Sequence, residues 1–346
     1  MTHPTQSHDH AFTEPDELDV YGVGNALVDM EYKVDDAFLA EHGVAKGLMT
    51  LVEEDRLDAL TDALSELTPE RASGGSAANT VYAVQALGAK AAYACKIAHD
   101  ETGNHFSGAM RDAGAWVAPE AQVANGKTGR CLVLVTPDGE RSMSTFLGIS
   151  ATIDTSALQP NVLSKAKYLY IEGYLCSGDD SRALAQACRE HAEAAGVRTS
   201  ITLSDPSMVE FFKDNLIKII GNGVDHIFCN EEEALAWAGT ERLEIAATEL
   251  ADVGKSLSIT LGGKGSYIVT KDGHREVAGY PSQVVDTNGA GDIYAGASLW
   301  GWQQGMEPAN AARFANYCAA HLVSRYGARL ASPAAYQALR EDFASI

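Results

Sequence analysis

Several features that mark common protein classes are missing from this sequence of 346 residues. No stretch approaches the roughly 20 consecutive apolar residues that a membrane-spanning helix needs. The six cysteines form no C-x-x-C pair, so neither a zinc ribbon nor a dithiol redox site is supported. The first 17 residues are polar and lack the apolar core of a secretion signal. We therefore expect a cytoplasmic protein with a disordered tail over 1–17 and one folded domain over 18–346.

Positive charge is also scarce. The chain has 26 Lys plus Arg against 47 Asp plus Glu, which gives a formal net charge of −21. A field of this sign repels nucleic acid and anionic membranes, so we expect neither as a partner. Any site for an anionic ligand must supply its own local positive potential. Solubility alone explains the acidity, and adaptation to high salt is the sharper alternative.

Two familiar nucleotide-binding loops are absent as well. A P-loop would end in Gly126-Lys127-Thr128, but Ala121 stands where its first glycine belongs, and a hairpin rather than a helix is expected to follow. A Rossmann fingerprint would start with Gly22 and Gly24, but Leu27 occupies the position of its third glycine. A dehydrogenase is therefore the weaker alternative.

Short β-rich runs alternate with longer, Ala-rich segments of helical period. The predicted strands are Val20–Gly24, Ala91–Ile97, Tyr168–Ile171, Thr199–Thr202, His226–Cys229, Ser258–Leu261 and Tyr267–Thr270. The predicted helices are Ala77–Leu87, Phe106–Asp112, Asp180–Ala195, Glu231–Trp237, Asp292–Gln304 and Ala309–Tyr326. This alternation predicts an α/β fold with a doubly wound, mainly parallel sheet and helices on both faces.

Two regions break this rhythm, Met30–Val52 and Thr128–Phe146. In the second, an Asp138-Gly139 turn separates two β-rich runs, which is a strong hairpin signal. We therefore predict a small β lid beside the main sheet, formed from about residues 29–51 and 126–149.

The most informative segment is Asp286-Thr287-Asn288-Gly289-Ala290-Gly291-Asp292, which precedes a predicted helix. Its small residues Gly289, Ala290 and Gly291 allow backbone N–H groups to point at one spot without obstruction by side chains. The helix dipole adds positive potential at the same place. The segment therefore predicts an anion-binding hole made of backbone.

A carboxylate beside such a hole needs an explanation, because it repels phosphate. Asp292 makes chemical sense there if it accepts the proton of an attacking hydroxyl group during phosphoryl transfer. Asp is also a residue type that caps helix N-termini. The spacing alone leaves both interpretations open.

The same segment resembles the C-terminal motif of the ribokinase-like (PfkB-type) carbohydrate kinase family. Three further segments resemble other motifs of the family in the expected order: Gly74-Gly75-Ser76-Ala77-Ala78-Asn79, Asn230-Glu231-Glu232-Glu233 and Thr260-Leu261-Gly262-Gly263-Lys264-Gly265. The resemblance covers roughly residues 18 to 335. It implies a ribokinase-like fold and an ATP-dependent kinase, a monomer or homodimer, that transfers the γ-phosphate to a hydroxyl group with Mg²⁺. Some members of the family also bind a monovalent cation such as K⁺, here expected near Asp286 and Ser324–Arg329.

The resemblance also implies roles for individual residues. For catalysis these are Asp292 as the base, the N–H groups of Gly289, Ala290 and Gly291, and Arg141 over the transferring phosphate. For the acceptor they are Asn25, Asp29, Gly74, Gly75, Asn79 and Tyr174. For the nucleotide they are Asn230, Glu233 (through water on Mg²⁺), Thr260, Gly262, Gly265, Thr287 and Asn316.

Several of these residues have simpler interpretations that the sequence leaves open. Gly74-Gly75 suits the joint of a closing lid or a plain loop. Glu233 at a helix start favours the helix dipole without any metal. Gly262 and Gly265 suit a hairpin turn, and Asn316 suits an ordinary buried helix.

Within the family, the chain looks closest to adenosine and other nucleoside kinases, because Gly24-Asn25-Ala26-Leu27-Val28-Asp29 resembles their opening stretch and Asn288 is common in them. The resemblance implies that Asp29 accepts hydrogen bonds from two ribose hydroxyls, which suits a carboxylate. Tyr174 matches an aromatic residue near the purine, whereas Leu175 replaces a second one. We therefore predict a nucleoside 5′-hydroxyl as the acceptor. The alternatives are an inosine-guanosine kinase, a ribokinase-type or fructokinase-type sugar kinase, and a non-catalytic binding protein.

Overall fold

The computed structural model describes residues 14–118, 121–123 and 125–345, so residues 1–13 of the predicted tail lie outside the described residues. In the described part of the chain the strands are β1 (Val20–Val23), β2 (Leu27–Lys33), β3 (Met49–Leu51), β4 (Glu70–Gly74), β5 (Ala91–Ala94), β6 (Ile97–Ala98), β7 (Trp116–Val117), β8 (Gln122–Val123), β9 (Thr128–Val135), β10 (Arg141–Gly148), β11 (Tyr168–Ile171), β12 (Arg198–Thr202), β13 (His226–Asn230), β14 (Leu257–Thr260), β15 (Gly265–Thr270) and β16 (Gly273–Ala278).

The helices of the described residues are α1 (Asp36–Glu41), α2 (Glu54–Ala63), α3 (Ser76–Ala86), α4 (Glu101–Asp112), α5 (Pro160–Leu163), α6 (Asp179–Ala195), α7 (Pro206–Ile220), α8 (Glu231–Ala238), α9 (Leu243–Ala251), α10 (Ala290–Gln303), α11 (Pro308–Leu322) and α12 (Pro333–Ala344). Within those same ranges, no helix is both long enough and apolar enough to cross a membrane.

The large sheet has nine strands in the order β16-β15-β14-β13-β12-β11-β1-β5-β7. The neighbours from β14 to β7 are parallel, and β15 and β16 form an antiparallel edge. Both faces are buried: Val20 packs in one cluster with residues of α3, α10 and α11, whereas Tyr21 packs in another with residues of α6 to α9. Helices therefore cover both faces of a mainly parallel sheet, which confirms the predicted fold class.

A second sheet of five strands, in the order β3-β10-β9-β2-β4, forms the small β lid. β9 and β10 are the predicted hairpin, and its turn is closed by a hydrogen bond from Gly139 N–H to the Thr136 carbonyl oxygen of 2.8 Å. On one face, Leu57 and Leu60 of α2 pack against Met30 and other apolar residues of the sheet. The opposite face is free to border a cavity.

The lid sheet is larger than the segments 29–51 and 126–149 predicted for it. It begins at Leu27, and it includes β4, which pairs antiparallel with β2. The β4 sequence Glu70-Arg71-Ala72-Ser73-Gly74 has no β-branched or aromatic residue, so nothing in it indicates a strand. Its backbone pairing with β2 decides its conformation.

The main domain differs from the prediction at three kinds of position. The predicted strand Ala91–Ile97 divides into β5 and β6, which belong to different sheets. The last predicted helix ends at Leu322, because the Val323 carbonyl accepts the N–H groups of Val285 and Asp286 instead of continuing the helix. The sequence also missed α1, α2, α7, α9, α12 and the exposed edge strand β16.

Candidate active site

A cavity of about 940 Å³ lies where the central parallel strands end and the lid sheet faces the main domain. Its walls contain residues just after four strands, Glu172 after β11, Ser204 after β12, Glu231 after β13 and Leu261 after β14. The carboxyl ends of parallel strands are the usual place for a ligand in such a fold. The residues predicted as site residues that line this cavity are Asn25, Asp29, Gly75, Asn79, Tyr174, Asn230, Glu233, Thr260, Gly262, Thr287, Gly289, Ala290, Gly291 and Asp292.

The turn that leads into α10 explains the glycine at position 289. The N–H group of Ala290 donates to the Thr287 carbonyl oxygen at 3.2 Å, which closes a four-residue turn. Gly289 has φ 75° and ψ 2°, the angles that a type II turn requires at its third residue. An added Cβ at Gly289 would also collide with the carbonyl of Ala328. The sharp entry into α10 therefore depends on this glycine.

This turn also changes which N–H groups form the predicted anion hole. Ala290 donates its N–H within the turn, whereas the N–H groups of Gly289, Gly291 and Asp292 have no acceptor among the described residues. Unpaired donors in the first turn of a helix carry the positive end of its dipole. The hole is therefore centred on the first turn of α10, next to Asp292.

Asp292 is not the cap of α10, because that position belongs to Gly289. Its side chain instead joins α10 to α3: Oδ1 accepts Ser76 Oγ–H at 2.7 Å, and Oδ2 accepts Asn79 Nδ2–H at 2.9 Å. Burial raises the pKa of Asp292 to about 6, while these two hydrogen bonds and the Arg329 guanidinium oppose the rise. A carboxylate with a pKa near neutrality beside an anion hole can accept a proton.

Asp29 lies on β2 and contributes a second carboxylate to the same cavity. Its oxygens have no hydrogen-bond partner among the described residues, so they are available to a ligand. Burial raises the pKa of Asp29 to about 6, and Arg329 and Arg141 oppose this. Gly74 allows the carboxylate to lie close to the backbone, since an added Cβ would be 2.7 Å from Asp29 Oδ1.

Glu172 is a site residue that the sequence analysis missed. It is 1% exposed, and its carboxylate accepts Asn25 Nδ2–H at 2.8 Å and Ala77 N–H at 2.9 Å. Burial raises its pKa to about 7, against the effect of these hydrogen bonds. Glu172 thereby holds the amide of Asn25 and the start of α3 in place. Its only signal in the sequence was its position directly after a predicted strand.

On the far side of the cavity, Asn230 and Glu233 form a capping box at the start of α8. Glu233 Oε1 accepts Asn230 Nδ2–H at 2.8 Å, and burial raises the Glu233 pKa to about 7. The described residues contain no cluster of three or more side chains that would ligate a metal ion. A Mg²⁺ ion here would therefore be held mainly by nucleotide oxygens and water, which suits its preference for keeping several waters. Glu233 lines the cavity at this place and would hold such an ion through its water shell.

The cavity has an apolar side between the lid and the main domain. Tyr174 contributes one aromatic side chain, and Phe212 of α7 contributes another that the sequence analysis missed. Phe212 interrupts α7 with non-helical angles, φ −129° and ψ 20°. Leu175, which replaces an expected aromatic residue, is fully buried in the core instead, so its identity does not shape the cavity.

Four of the predicted site residues do not line the cavity. Arg141 pairs with Asp286 Oδ2 at 2.9 Å and with Glu31 Oε2 at 3.0 Å, which fastens β10 of the lid to the loop before α10. Asn316 is buried and donates to the Val277 carbonyl at 3.1 Å and the Ala278 carbonyl at 3.2 Å, so it anchors α11 to β16. The other two are Gly74, behind Asp29, and Gly265, where an added Cβ would collide with the Val277 carbonyl.

A doubly wound α/β domain with a β lid, a helix-start anion hole and a buried carboxylate beside it defines a phosphotransferase site. The pfkB family carbohydrate kinase model matches residues 50–335, and the chain belongs to this family. It is therefore an ATP-dependent kinase that acts on a hydroxyl acceptor, a nucleoside or a sugar.

Three similar proteins bracket the range of acceptors. Adenosine kinase 1 from Arabidopsis thaliana is 29% identical over 303 residues, which cover 80% of this chain and 86% of that protein. The crystal structure of adenosine kinase from Sinorhizobium meliloti has a TM-score of 0.85 and 33% identity, covering 94% of this chain and 99% of the other. A probable sugar kinase from Rhizobium etli has a TM-score of 0.87 and 30% identity, covering 95% and 99%.

The two glycines that flank Ala290 give a matched pair of variants. We expect Gly289→Ala to lower the free energy of unfolding by about 2 kcal/mol or more, because the turn needs a positive φ at this residue. Gly291→Ala should leave that free energy unchanged or raise it by up to about 1 kcal/mol. An added methyl group would contact no other atom there, and Ala favours a helical conformation more than Gly does. Urea unfolding of both variants measures the difference. Equal losses would contradict this account of the turn.

Proposed function

We propose that this kinase phosphorylates the 5′-hydroxyl group of a nucleoside, with Asp292 as the general base. The supporting observation is that two carboxylates, Asp29 and Asp292, share one cavity between the anion hole and an apolar, aromatic side. One carboxylate suits a vicinal diol, the other suits the attacking hydroxyl, and the apolar side that contains Tyr174 and Phe212 suits a flat base.

Acceptor binding begins at Asp29. A carboxylate without a protein donor is costly in a partly buried site, and two ribose hydroxyl groups would supply the missing donors. The second N–H of the Asn79 amide remains available to a ribose oxygen, because the first donates to Asp292. The ribose is thereby fixed with its 5′-hydroxyl toward Asp292 and the first turn of α10.

Asp292 then accepts the proton of the 5′-hydroxyl as the oxygen attacks the γ-phosphorus of ATP, and the bond from that phosphorus to the bridging oxygen breaks to release ADP. Ser76 and Asn79 hold its two oxygens, so the carboxylate is oriented before the acceptor arrives. The N–H groups of Gly289 and Gly291 face the oxygens on which charge develops, and such preorganised donors strengthen in a cavity that excludes water. Bound Mg²⁺ would neutralise charge on the nucleotide, with Glu233 ordering its water shell.

Arg141 takes part through the lid. Its guanidinium pairs with Asp286 and Glu31, at the border between the lid sheet and the loop before α10. We propose that a bound nucleotide offers this guanidinium a phosphate in exchange, which is a strong, charge-assisted contact. The exchange would keep the lid closed over the acceptor while the phosphate is transferred.

A sugar kinase is the second candidate function, and the similarity to the probable sugar kinase from Rhizobium etli favours it. A free sugar would use the same diol contact at Asp29 and the same base, Asp292. It would leave the apolar side with Tyr174 and Phe212 without a partner, and for this reason we favour a nucleoside. Inosine or guanosine would fill that side as well as adenosine would.

An acceptor panel separates these candidates. ATP turnover should be measured with adenosine, inosine, guanosine, ribose and fructose at equal concentrations, in a coupled assay for ADP. We expect kcat/KM for at least one nucleoside to be well above kcat/KM for either free sugar. Stimulation by free sugars alone would show that the nucleoside proposal is wrong, and Tyr174→Ala should then leave turnover with the preferred sugar unchanged.

Replacing the base tests the mechanism. Asp292→Asn keeps the size of the side chain and one oxygen acceptor but removes the proton acceptor, so we expect kcat to fall by about 10²–10⁴-fold while the acceptor still binds. Asp214→Asn, at an exposed position, is the control for the loss of one negative charge. An Asp292→Asn variant that kept more than about a tenth of kcat would contradict a general-base role.

The pH dependence gives an independent test. Asp292 works as a carboxylate and has a pKa of about 6 in the free enzyme, so its protonation should lower kcat/KM about tenfold per unit below that pH. Asp29 must also be ionised to accept two hydroxyl donors, and its pKa is about 6 as well, so kcat/KM should fall more steeply than kcat. Asp29→Asn should reduce the acid slope of kcat/KM to that of one group. A flat profile between pH 5 and about 8 would contradict both assignments.

A further inference from the structure

The loop after α11 touches the active site at three consecutive residues. Gly327 N–H donates to Asp286 Oδ2 at 2.8 Å, at the start of the segment that forms the anion hole. The Ala328 carbonyl borders Gly289 so closely that no side chain fits there. Arg329 Nε–H donates to Asn79 Oδ1 at 2.7 Å. This loop therefore supports the anion hole and the acceptor site from behind.

Arg329 itself is held firmly although it does not line the cavity. Its guanidinium lies 4.5 Å from the ring centroid of Tyr82 on α3, a cation–π contact. The Tyr82 ring is packed edge-on against Tyr336 of α12, and Arg329 Nη2 lies 3.9 Å from Met110 Sδ of α4. Three helices thus fix an arginine whose Nε–H is aimed at one acceptor.

We propose that Arg329 is a positioning residue for phosphoryl transfer: it fixes the Asn79 amide so that its Nδ2–H groups face Asp292 and the acceptor. The geometry allows one orientation of the amide. An arginine N–H can only donate, so Asn79 must turn Oδ1 toward Arg329. The NH₂ group then points to Asp292 Oδ2, at 2.9 Å. The reverse orientation would place Oδ1 against the Asp292 carboxylate and the NH₂ group against the guanidinium.

The positive charge of Arg329 also favours the ionised form of Asp292, which the hydrogen bond from Asn79 stabilises. It lowers the pKa of Asp292 and that of Asp29, against the rise that burial causes in both. The remaining titratable groups around Asp292 are Asp29 on β2, Glu172 after β11, and the tyrosines Tyr93, Tyr170 and Tyr174. None of these neighbours is a cation, so Arg329 is the positive charge that offsets Asp292, and it shares with Arg141 the offset of Asp29.

Two separable effects follow from removing this side chain. Loss of the Nε–H donor frees the Asn79 amide, which should raise KM for the acceptor and lower kcat at every pH. Loss of the charge should raise the pKa of Asp292, which moves the acid limb of the kcat profile to higher pH. A role confined to folding would lower the stability without moving that limb. The kinetic part of this inference rests on the proposed function, in that it takes Asp292 as the base.

The kinetic test compares Arg329→Met, Arg329→Lys and the control Arg275→Met, an exposed arginine of β16 outside the cavity lining. We expect Arg329→Met to lose about tenfold or more in kcat/KM at pH 8 and to shift its acid limb upward by about one pH unit. Arg329→Lys keeps the charge, so it should restore the limb but not the acceptor KM. Arg275→Met should match the wild type. The assays use whichever acceptor the panel identifies, whether it is a nucleoside or a free sugar.

A readout without turnover keeps this inference separate from the choice of acceptor. Protein labelled with ¹³C at the aspartate carboxyl carbons is titrated by NMR, with Asp292→Asn to assign the signal. We expect the Asp292 pKa to rise by about one unit in Arg329→Met and to return in Arg329→Lys. If Arg329→Met does not fold, Arg329→Gln replaces it. An unmoved Asp292 titration together with an unchanged acid limb would overturn the proposal, even if a nucleoside is the acceptor.

Discussion

Two hydrogen bonds to one carboxylate hold this site together, those from Ser76 and Asn79 on α3 to Asp292 on α10. The two helices begin at glycine turns, Gly75 with φ 97° and Gly289 with φ 75°. Each turn aims the first residues of its helix into the same cavity. Because the carboxylate lies where the two helix starts meet, Asp292, Asn79 and the N–H groups at the start of α10 are fixed relative to one another. Moving either helix would separate groups that act on one oxygen in the proposed mechanism.

The electrostatics of the cavity follow from this arrangement. Three carboxylates, those of Asp29, Asp292 and Glu172, line the cavity where we propose that an anionic nucleotide binds. Burial raises the pKa of each toward neutrality, so each carboxylate is protonated more readily than an exposed one. Positive potential comes from unpaired N–H groups at the start of α10 and from two arginines, Arg141 in front and Arg329 behind. The local positive potential that the net charge demanded is thus supplied by backbone dipoles and a few oriented cations.

The lid sheet is in direct contact with the segment that forms the anion hole. One of its faces is packed by α1 and α2, and the other borders the cavity through residues such as Cys131 and Met143. Arg141 of the lid pairs with Asp286 Oδ2, and the N–H group of Gly327 donates to the same oxygen. Asp286 is therefore a shared anchor for the lid and for the loop that carries Arg329. If Arg141 changed its partner, Asp286 at the start of the anion-hole segment would lose an ion pair.

The sequence by itself determined the parts of this protein that depend on local chemistry. The alternation of β-rich and helical segments predicted the sheet and its two helical layers, and the run Asp286–Asp292 predicted a helix-start anion hole with a carboxylate beside it. Tertiary structure decided the rest, since it brings together residues such as Asn79 and Asp292, which are 213 positions apart. It brings Glu172 into contact with Asn25 and Arg329 into contact with Asn79. It also pairs Arg141 with the carboxylate of Asp286 and buries Asn316 away from the cavity wall. Those outcomes depend on which surfaces pack together, and a local pattern of residues carries no record of that.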